Sequence, residues 1–424
     1  MATTKIAAGS VKEQSGAELS RSDRNAGAGA SHGAMRKERI PELELLRGLA
    51  ILGVIMVHAT SAAVVRVHDS PMLGVYVFLN TFALFCVPAF IFLTGFVLFY
   101  NYYDKPLTLG MLRNFYWKRL TQLLIPYIVI SAGYELLGHM ANHRAWNPGA
   151  MLSLFWQHLL SGKAYTHLYY VIITIQLYVL FPLLLLLFQR LKMSVRLAVP
   201  LGLIIQWGFY LLNRNVLHVA SKGSWSLSYF TPFLIGAFFG MCYPVFKRWF
   251  GSGEEAGNGG ESGRRRTIWT VVMTALWLAV TAAFIWMYYE LRSGGVVIKG
   301  YWYEAGYSAF TVLTTLALMK LCGFLYRKGP QWIVSALTDL GALSFGIYLV
   351  HPLILYVYRK FPPGSAQPLI YHSWIAGGYV VALGGSIVIL LAAYRLLGWS
   401  WILFGPVPAR FGRQAKQSGV QSAA

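Results

Sequence analysis

Long apolar runs, repeated from one end of the chain to the other, constrain this sequence more than any motif in it. Residues 168–188 and 369–397 are among several stretches that continue for some twenty residues with hardly a charge. A helix rises ~1.5 Å per residue, so about 20 residues cross a hydrocarbon core about 30 Å thick. Helices satisfy their own backbone hydrogen bonds there, which predicts an all-α membrane protein, a polytopic bundle. Charged residues make up 12% of the chain, about half the ~25% of soluble proteins. Ten-residue segments of alternating apolar and polar residues, the mark of a membrane barrel, are missing.

The pattern predicts about ten transmembrane helices, at residues 43–65, 73–100, 120–139, 168–188, 194–212, 227–245, 268–289, 301–322, 337–358 and 372–397. With the N-terminus in the cytoplasm, about three quarters of the lysines and arginines fall on the cytoplasmic side, which the positive-inside rule favours. Both termini are then expected to be cytoplasmic, in a multi-pass protein of the cell membrane. The net charge of +21 would suggest nucleic acid in a soluble protein. Here its distribution points to the lipid bilayer and to an anionic cytoplasmic ligand, with no nucleic acid.

Residues 1–38, rich in Ala, Gly and Ser, read as a disordered cytoplasmic arm, 39–404 as the membrane domain and 405–424 as a cytoplasmic tail. Within the domain, "GSGEEAGNGGESGRRR" at 251–266 reads as a flexible cytoplasmic loop whose arginines anchor the next span. Cys86, Cys242 and Cys322 sit in apolar spans and read as small core residues.

Within the first span, "PELELLRGLAILGVIMVHATS" (41–61) contains Glu44, Arg47 and His58. Arg47 and His58 are eleven residues apart, which returns a helix to within ~20° and separates them by ~16 Å along one face. Glu44 lies a turn before Arg47, within reach of an ion pair. Arg47 reads either as an interfacial anchor snorkelling to headgroups or as the holder of an anion. His58, deeper in the span, reads as a packing residue or as a proton acceptor that titrates near neutrality.

The ninth span, "ALSFGIYLVHPLIL", places Ser344, Tyr348 and His351 on one face. Pro352 is expected to distort the helix beside His351. The face reads as an interhelical hydrogen-bond network or as part of a site. "GVIMVH", ending at His58, is echoed by "GIYLVH", ending at His351. Glu135 and His139 form another pair one turn apart. Arg113, Lys118 and Arg119 in "RNFYWKRLTQLLIPY" (113–127) read as topological anchors or as a phosphate clamp at the cytoplasmic face. His143, His158 and His167 in the long outer loop match no usual metal-ligand spacing, and no metal site is expected.

These residues carry a resemblance. The chain resembles the integral-membrane acyltransferase family 3 over about residues 40–400. "LRGLAILGVIMVHA" resembles that family's opening helix, in which an arginine and a histidine are separated by ten residues, often after an acidic residue. "LSFGIYLVHPLIL" resembles its late helix, "KRLTQLLIPY" its basic segment, and "HLYYVIITIQLYVLFPLL" its fourth span, with Tyr169 where tryptophan is common. "FLIGAFFG" (233–240) also fits. The basic segment departs in having Gln122 where many members have a second arginine.

The resemblance implies transfer of an acyl group, acetyl first among them, from acyl-CoA to a hydroxyl of a sugar or cell-envelope glycan. Acyl-CoA is then the donor substrate, and neither a resident cofactor nor a metal is implied. His58, Arg47, Glu44, Tyr348 and His351 are the implied catalytic residues. His58 would be the general base, Glu44 would fix Arg47, and Tyr348 or His351 would stabilise the oxyanion or orient the acceptor. Arg113, Lys118, Arg119, His167, Tyr169 and Ser344 are the implied substrate-binding set. The alternative is a transporter or glycan exporter with His58, His351 and Glu135 as a proton relay, although the chain lacks the inverted repeat common in transporters.

Overall fold

A computed structural model describes residues 37–67, 70–143, 146–190, 193–250, 261–364 and 367–412. The described residues are helical with no strand among them. In chain order the helices are α1 (Pro41–Arg66), α2 (Leu73–Phe82), α3 (Cys86–Tyr102), α4 (Leu109–Arg119), α5 (Ile125–Ala141), α6 (Pro148–Ser161), α7 (Tyr169–Gln189), α8 (Ala198–Leu212), α9 (Phe230–Met241), α10 (Tyr243–Phe250), α11 (Glu261–Ser293), α12 (Gly300–Lys328), α13 (Gln331–Tyr358), α14 (Pro368–Leu396) and α15 (Trp401–Phe404). Short 3-10 segments or π turns join several of them, so that α2 and α3 form one rod, as do α4 and α5.

Nine helical stretches among the described residues are long and apolar enough to cross a membrane. The difference from the expected ten falls at the sixth span. Residues Ser226–Met241 form a shorter apolar helix, which stops where Cys242 interrupts it before α10. Almost all of α9 is buried against its neighbours, and a helix sheathed in protein need not match the thickness of the hydrocarbon. The arginines of the expected loop 251–266 also differ: residues 261–266 already belong to α11, and 251–260 lie outside the described residues. So do nearly all of the expected arm 1–38 and the tail from 413 on, whereas residues 405–412 are described and Arg410 pairs with Asp339 at 2.6 Å.

Two helix pairs pack especially closely, for a reason visible in their composition. A Cβ on Gly236 or Gly240 of α9 would overlap the carbonyls of Phe92 or Phe96 on α3. The GxxxG spacing thus lets two backbones meet, as small residues do in membrane bundles. Between α1 and α13 the fit is mutual: a Cβ on Gly48 would strike the Leu337 carbonyl, and one on Gly341 the Glu44 carbonyl. From this contact both helices run the same way, since further along each of them His58 lies beside His351. This pairing brings the two "VH" segments together.

Candidate active site

The first polar pair on α1 forms as its spacing predicts, with Arg47 Nη1 3.0 Å from Glu44 Oε1. Three turns further on, His58 meets two other imidazoles. Its ring centroid lies 5.2 Å from that of His351 on α13 and 6.4 Å from that of His167, in the turn that leads into α7. His167 and His351 are 5.7 Å apart, and the Tyr348 ring lies 4.9 Å from His167. The three histidines and Tyr348 come from distant parts of the chain to one place. His58, His167 and Tyr348 border a cavity of about 70 Å³, lined also by Tyr169, Tyr170 and Tyr307 and the apolar Val54, Val57, Leu84, Cys86 and Val87, while His351 lies against His58 outside that lining.

A backbone hydrogen bond fixes the tautomer of one ring. His351 Nδ1 lies 3.0 Å from the Ile347 carbonyl. A carbonyl only accepts, so Nδ1 carries the hydrogen and Nε2 keeps its lone pair. That Nε2 is buried and has no hydrogen-bond partner among the described residues, and the same holds for both ring nitrogens of His167. The Tyr348 hydroxyl donates to the His167 carbonyl. This bond ties α13 to the turn before α7 and commits the phenol proton to the backbone. The Ser344 hydroxyl likewise donates within its own helix, to the Gly341 carbonyl at 2.8 Å. Burial pushes His167 well below the ordinary histidine value, and charge on His351 or His58 would push it further.

The surrounding bundle supplies supports that the sequence does not announce. Tyr134 of α5 inserts its hydroxyl into the ladder of α13, donating to the Leu349 carbonyl at 2.9 Å and accepting from the Leu353 amide at 3.2 Å. Beside Pro352, which has no amide hydrogen to give, the helix turn that bears His351 is thus held open by a phenol from outside. Arg359, just past the end of α13, donates to the His58 carbonyl at 2.6 Å. Asn80 of α2 donates to the Val57 carbonyl and to the Thr60 hydroxyl, each at 3.0 Å. The only sequence signal for these three was their residue type near a helix end or in an apolar run.

The basic segment sits elsewhere. Arg113 and Lys118 are exposed on α4. Arg119 is half-buried, with its guanidinium over the rings of Phe115 and Tyr178 at 5.1 and 4.8 Å. A π turn, Leu120–Leu124, which includes Gln122, follows at once. Fifteen residues separate Arg119 from Tyr134, ~22 Å along a helical rod, so the structure does not bring this segment to the imidazoles. Arg47 likewise stands ~16 Å below His58 along α1. Glu135 does not pair with His139. It lies 2.7 Å from His158 Nδ1 on α6, while the His139 ring packs at 4.7 Å on Trp146. Among the described residues no group of three or more His, Cys, Asp or Glu is arranged to hold a metal ion.

A polytopic helical membrane protein with a buried cluster of imidazoles beside a small cavity is the class that fold and site define. Residues 40–391 match the family model of acyltransferase 3, described as an acyltransferase domain. The chain belongs to that family, and the family supports an acyltransferase embedded in a membrane. Neither a search of curated proteins nor one of solved structures gave a match.

Proposed function

We propose that the protein moves an acyl group, acetyl first among candidates, from acyl-CoA to a hydroxyl of a sugar or cell-envelope glycan. The observation that carries this reading is the meeting of His58, His167 and His351 beside one small cavity that His58 and His167 line, with His58 on the helix that also bears the Glu44–Arg47 pair. Arg47, with Arg113, Lys118 and Arg119, attracts the phosphates of the donor at the cytoplasmic end. Glu44 orients the Arg47 guanidinium. The pantetheine arm runs along α1 and delivers the thioester to the cavity.

There His58 takes the proton from the acceptor hydroxyl. The oxygen forms a bond to the thioester carbonyl carbon, the carbon–sulfur bond breaks, and the CoA thiolate leaves with the proton that His58 held. His351, with Nε2 free to accept, holds the acceptor hydroxyl or the His58 N–H in line. Tyr348 acts through the backbone of His167 and fixes that ring's position. Metal and resident cofactor have no part in these steps, and acyl-CoA enters as a substrate. Both termini lie in the cytoplasm, so the imidazoles sit toward the outer side, where an exported glycan is within reach.

The test is the purified His58→Ala protein with acetyl-CoA. Binding of the donor is expected to survive while acetyl transfer and slow thioester hydrolysis fall by ~10²-fold or more. Unchanged turnover in His58→Ala would remove the base from the scheme. A folded wild-type protein that binds no acyl-CoA of any chain length would remove the donor, and with it the reading.

A further inference from the structure

The turn between α6 and α7 and the short 3-10 segments ahead of α9 enclose an open pocket of about 450 Å³, within the ~300–1,000 Å³ range of small-molecule sites. Its lining is chemically mixed: the phenols of Tyr165, Tyr169 and Tyr229, the hydroxyls of Thr166 and Ser224, and the ammonium of Lys163. No aspartate or glutamate lines it, so Lys163 is the only charged side chain there.

The walls are fixed by bonds that serve no other visible purpose. Gln176 of α7 donates to the Ser224 carbonyl at 3.0 Å and accepts from the Ser226 amide at 2.7 Å, and the Tyr229 hydroxyl donates to the Gly223 carbonyl at 3.2 Å. On the opposite wall Gly162 turns the chain at φ 71°, and a Cβ there would press within 2.8 Å of the Tyr169 backbone. Only glycine meets both demands.

Two side chains join this pocket to the imidazoles. Tyr169 lines both the pocket and the smaller cavity, and the Tyr165 ring lies 5.7 Å from that of His167. The smaller cavity, about 70 Å³, has room for a hydroxyl and a two-carbon acyl group but not for a sugar ring. The ring of an acceptor must therefore rest next door.

We infer that the pocket behind Tyr165 and Tyr169 is the acceptor subsite, and that it takes a sugar carrying an anionic group, with the ring on the phenols and the anion on Lys163. The assignment to the acceptor rests on the acyltransferase reading. The binding chemistry does not. Aromatic faces suit the C–H faces of a pyranose, the hydroxyls of Thr166 and Ser224 suit its polar edge, and an ammonium suits a carboxylate or a phosphate alike.

The experiment is saturation-transfer NMR on the full chain in lipid nanodiscs, with methyl glucuronide, glucose 6-phosphate and methyl glucoside as probes. At least one acidic sugar is expected to bind about fivefold more tightly than the neutral glucoside, the scale of one partly exposed charge contact. The comparison of glucuronide with phosphate identifies which anion the site prefers. Lys163→Gln is expected to erase the preference, and Ser224→Trp, which fills the pocket, to abolish binding. Equal binding of acidic and neutral sugars, or a preference that survives Lys163→Gln, would overturn the proposal. Wild-type thioester hydrolysis, measured alongside, reports on the acyltransferase reading separately, since sugar binding needs no turnover.

Discussion

At the scale of single residues, the site depends on side chains that repair or redirect backbone hydrogen bonds. Tyr134 is the clearest, since its hydroxyl sits between the Leu349 carbonyl and the Leu353 amide, two residues either side of His351. In Tyr134→Phe those two groups are left to pair directly or stay unpaired, at ~1 kcal/mol in stability. His351 then moves with its turn. The expected outcome is a fall in kcat on the order of tenfold or more with little change in the KM for acyl-CoA, because misplacement of reacting groups acts on the chemical step. A rise in KM alone would mean that Tyr134 serves donor binding instead. His167 gives the second residue-scale prediction. It is buried, neutral and held well below its ordinary pKa, so the unfolded chain binds a proton that the folded one refuses. Stability is therefore full above the ordinary histidine value and declines as pH falls below it toward the folded-state value. Thermal unfolding in detergent is expected to show Tm dropping between about pH 7 and 5, with a shallower drop in His167→Gln. An equal slope in the variant would place the pH dependence on other groups.

At the scale of helices, the pairing of α1 with α13 decides whether the imidazoles meet at all. Gly48 and Gly341 each face a carbonyl of the opposite helix, with no room for a methyl. Gly341→Ala must push the helices apart or bend one of them, an overpacking cost of about 1–3 kcal/mol. The expected outcome is a lower Tm and a loss of turnover larger than the loss of folded protein, since His58 and His351 separate along with the helices. A normal Tm and normal turnover would show that the interface yields freely. This level of structure was partly legible in the sequence. The shared "VH" endings of "GVIMVH" and "GIYLVH" fell at similar depth in two expected spans of the same direction, and the helices do run in parallel with those histidines adjacent. The Glu44–Arg47 contact was equally open to sequence reasoning, because it lies within one turn of one helix. Contacts across some two or three hundred residues were not: Tyr134 on Leu349 and Arg359 on His58 carry no periodic signal. Glu135 shows how a local rule loses to tertiary structure. His139 is one turn away, but the hairpin into α6 delivers His158 to the carboxylate instead. The sixth expected span shortened for a similar reason, because the sequence reports that a segment is apolar but not whether protein or lipid surrounds it.

At the scale of the whole molecule, the proposed reaction requires a direction across the bilayer. Arg47 and the basic face of α4 stand toward one end of their rods, and the imidazoles and the pocket at Lys163 lie ~16 Å or more further along. The charge bias of the loops favours the cytoplasm for the basic end, which is the orientation proposed above. A phosphate-bearing donor then enters from the side where acyl-CoA is made, and an exported acceptor meets the acyl group from the other. Cysteine labelling in intact cells tests this arrangement. Cys86 and Cys322 are buried and only Cys242 is partly accessible, so replacing Cys242 gives a quiet background. A cysteine at the exposed position Lys163 is expected to react with a membrane-impermeant maleimide added outside. A cysteine at the exposed position Arg113 is expected to react only after the membrane is permeabilised. The reverse pattern would place the imidazole end in the cytoplasm. Both substrates would then meet on one side, and no acyl group would need to cross. Labelling of both positions from outside would contradict the placement of α4 and the α6–α7 turn at opposite ends of the bundle. The route along α1 from Arg47 to His58 would fall with it.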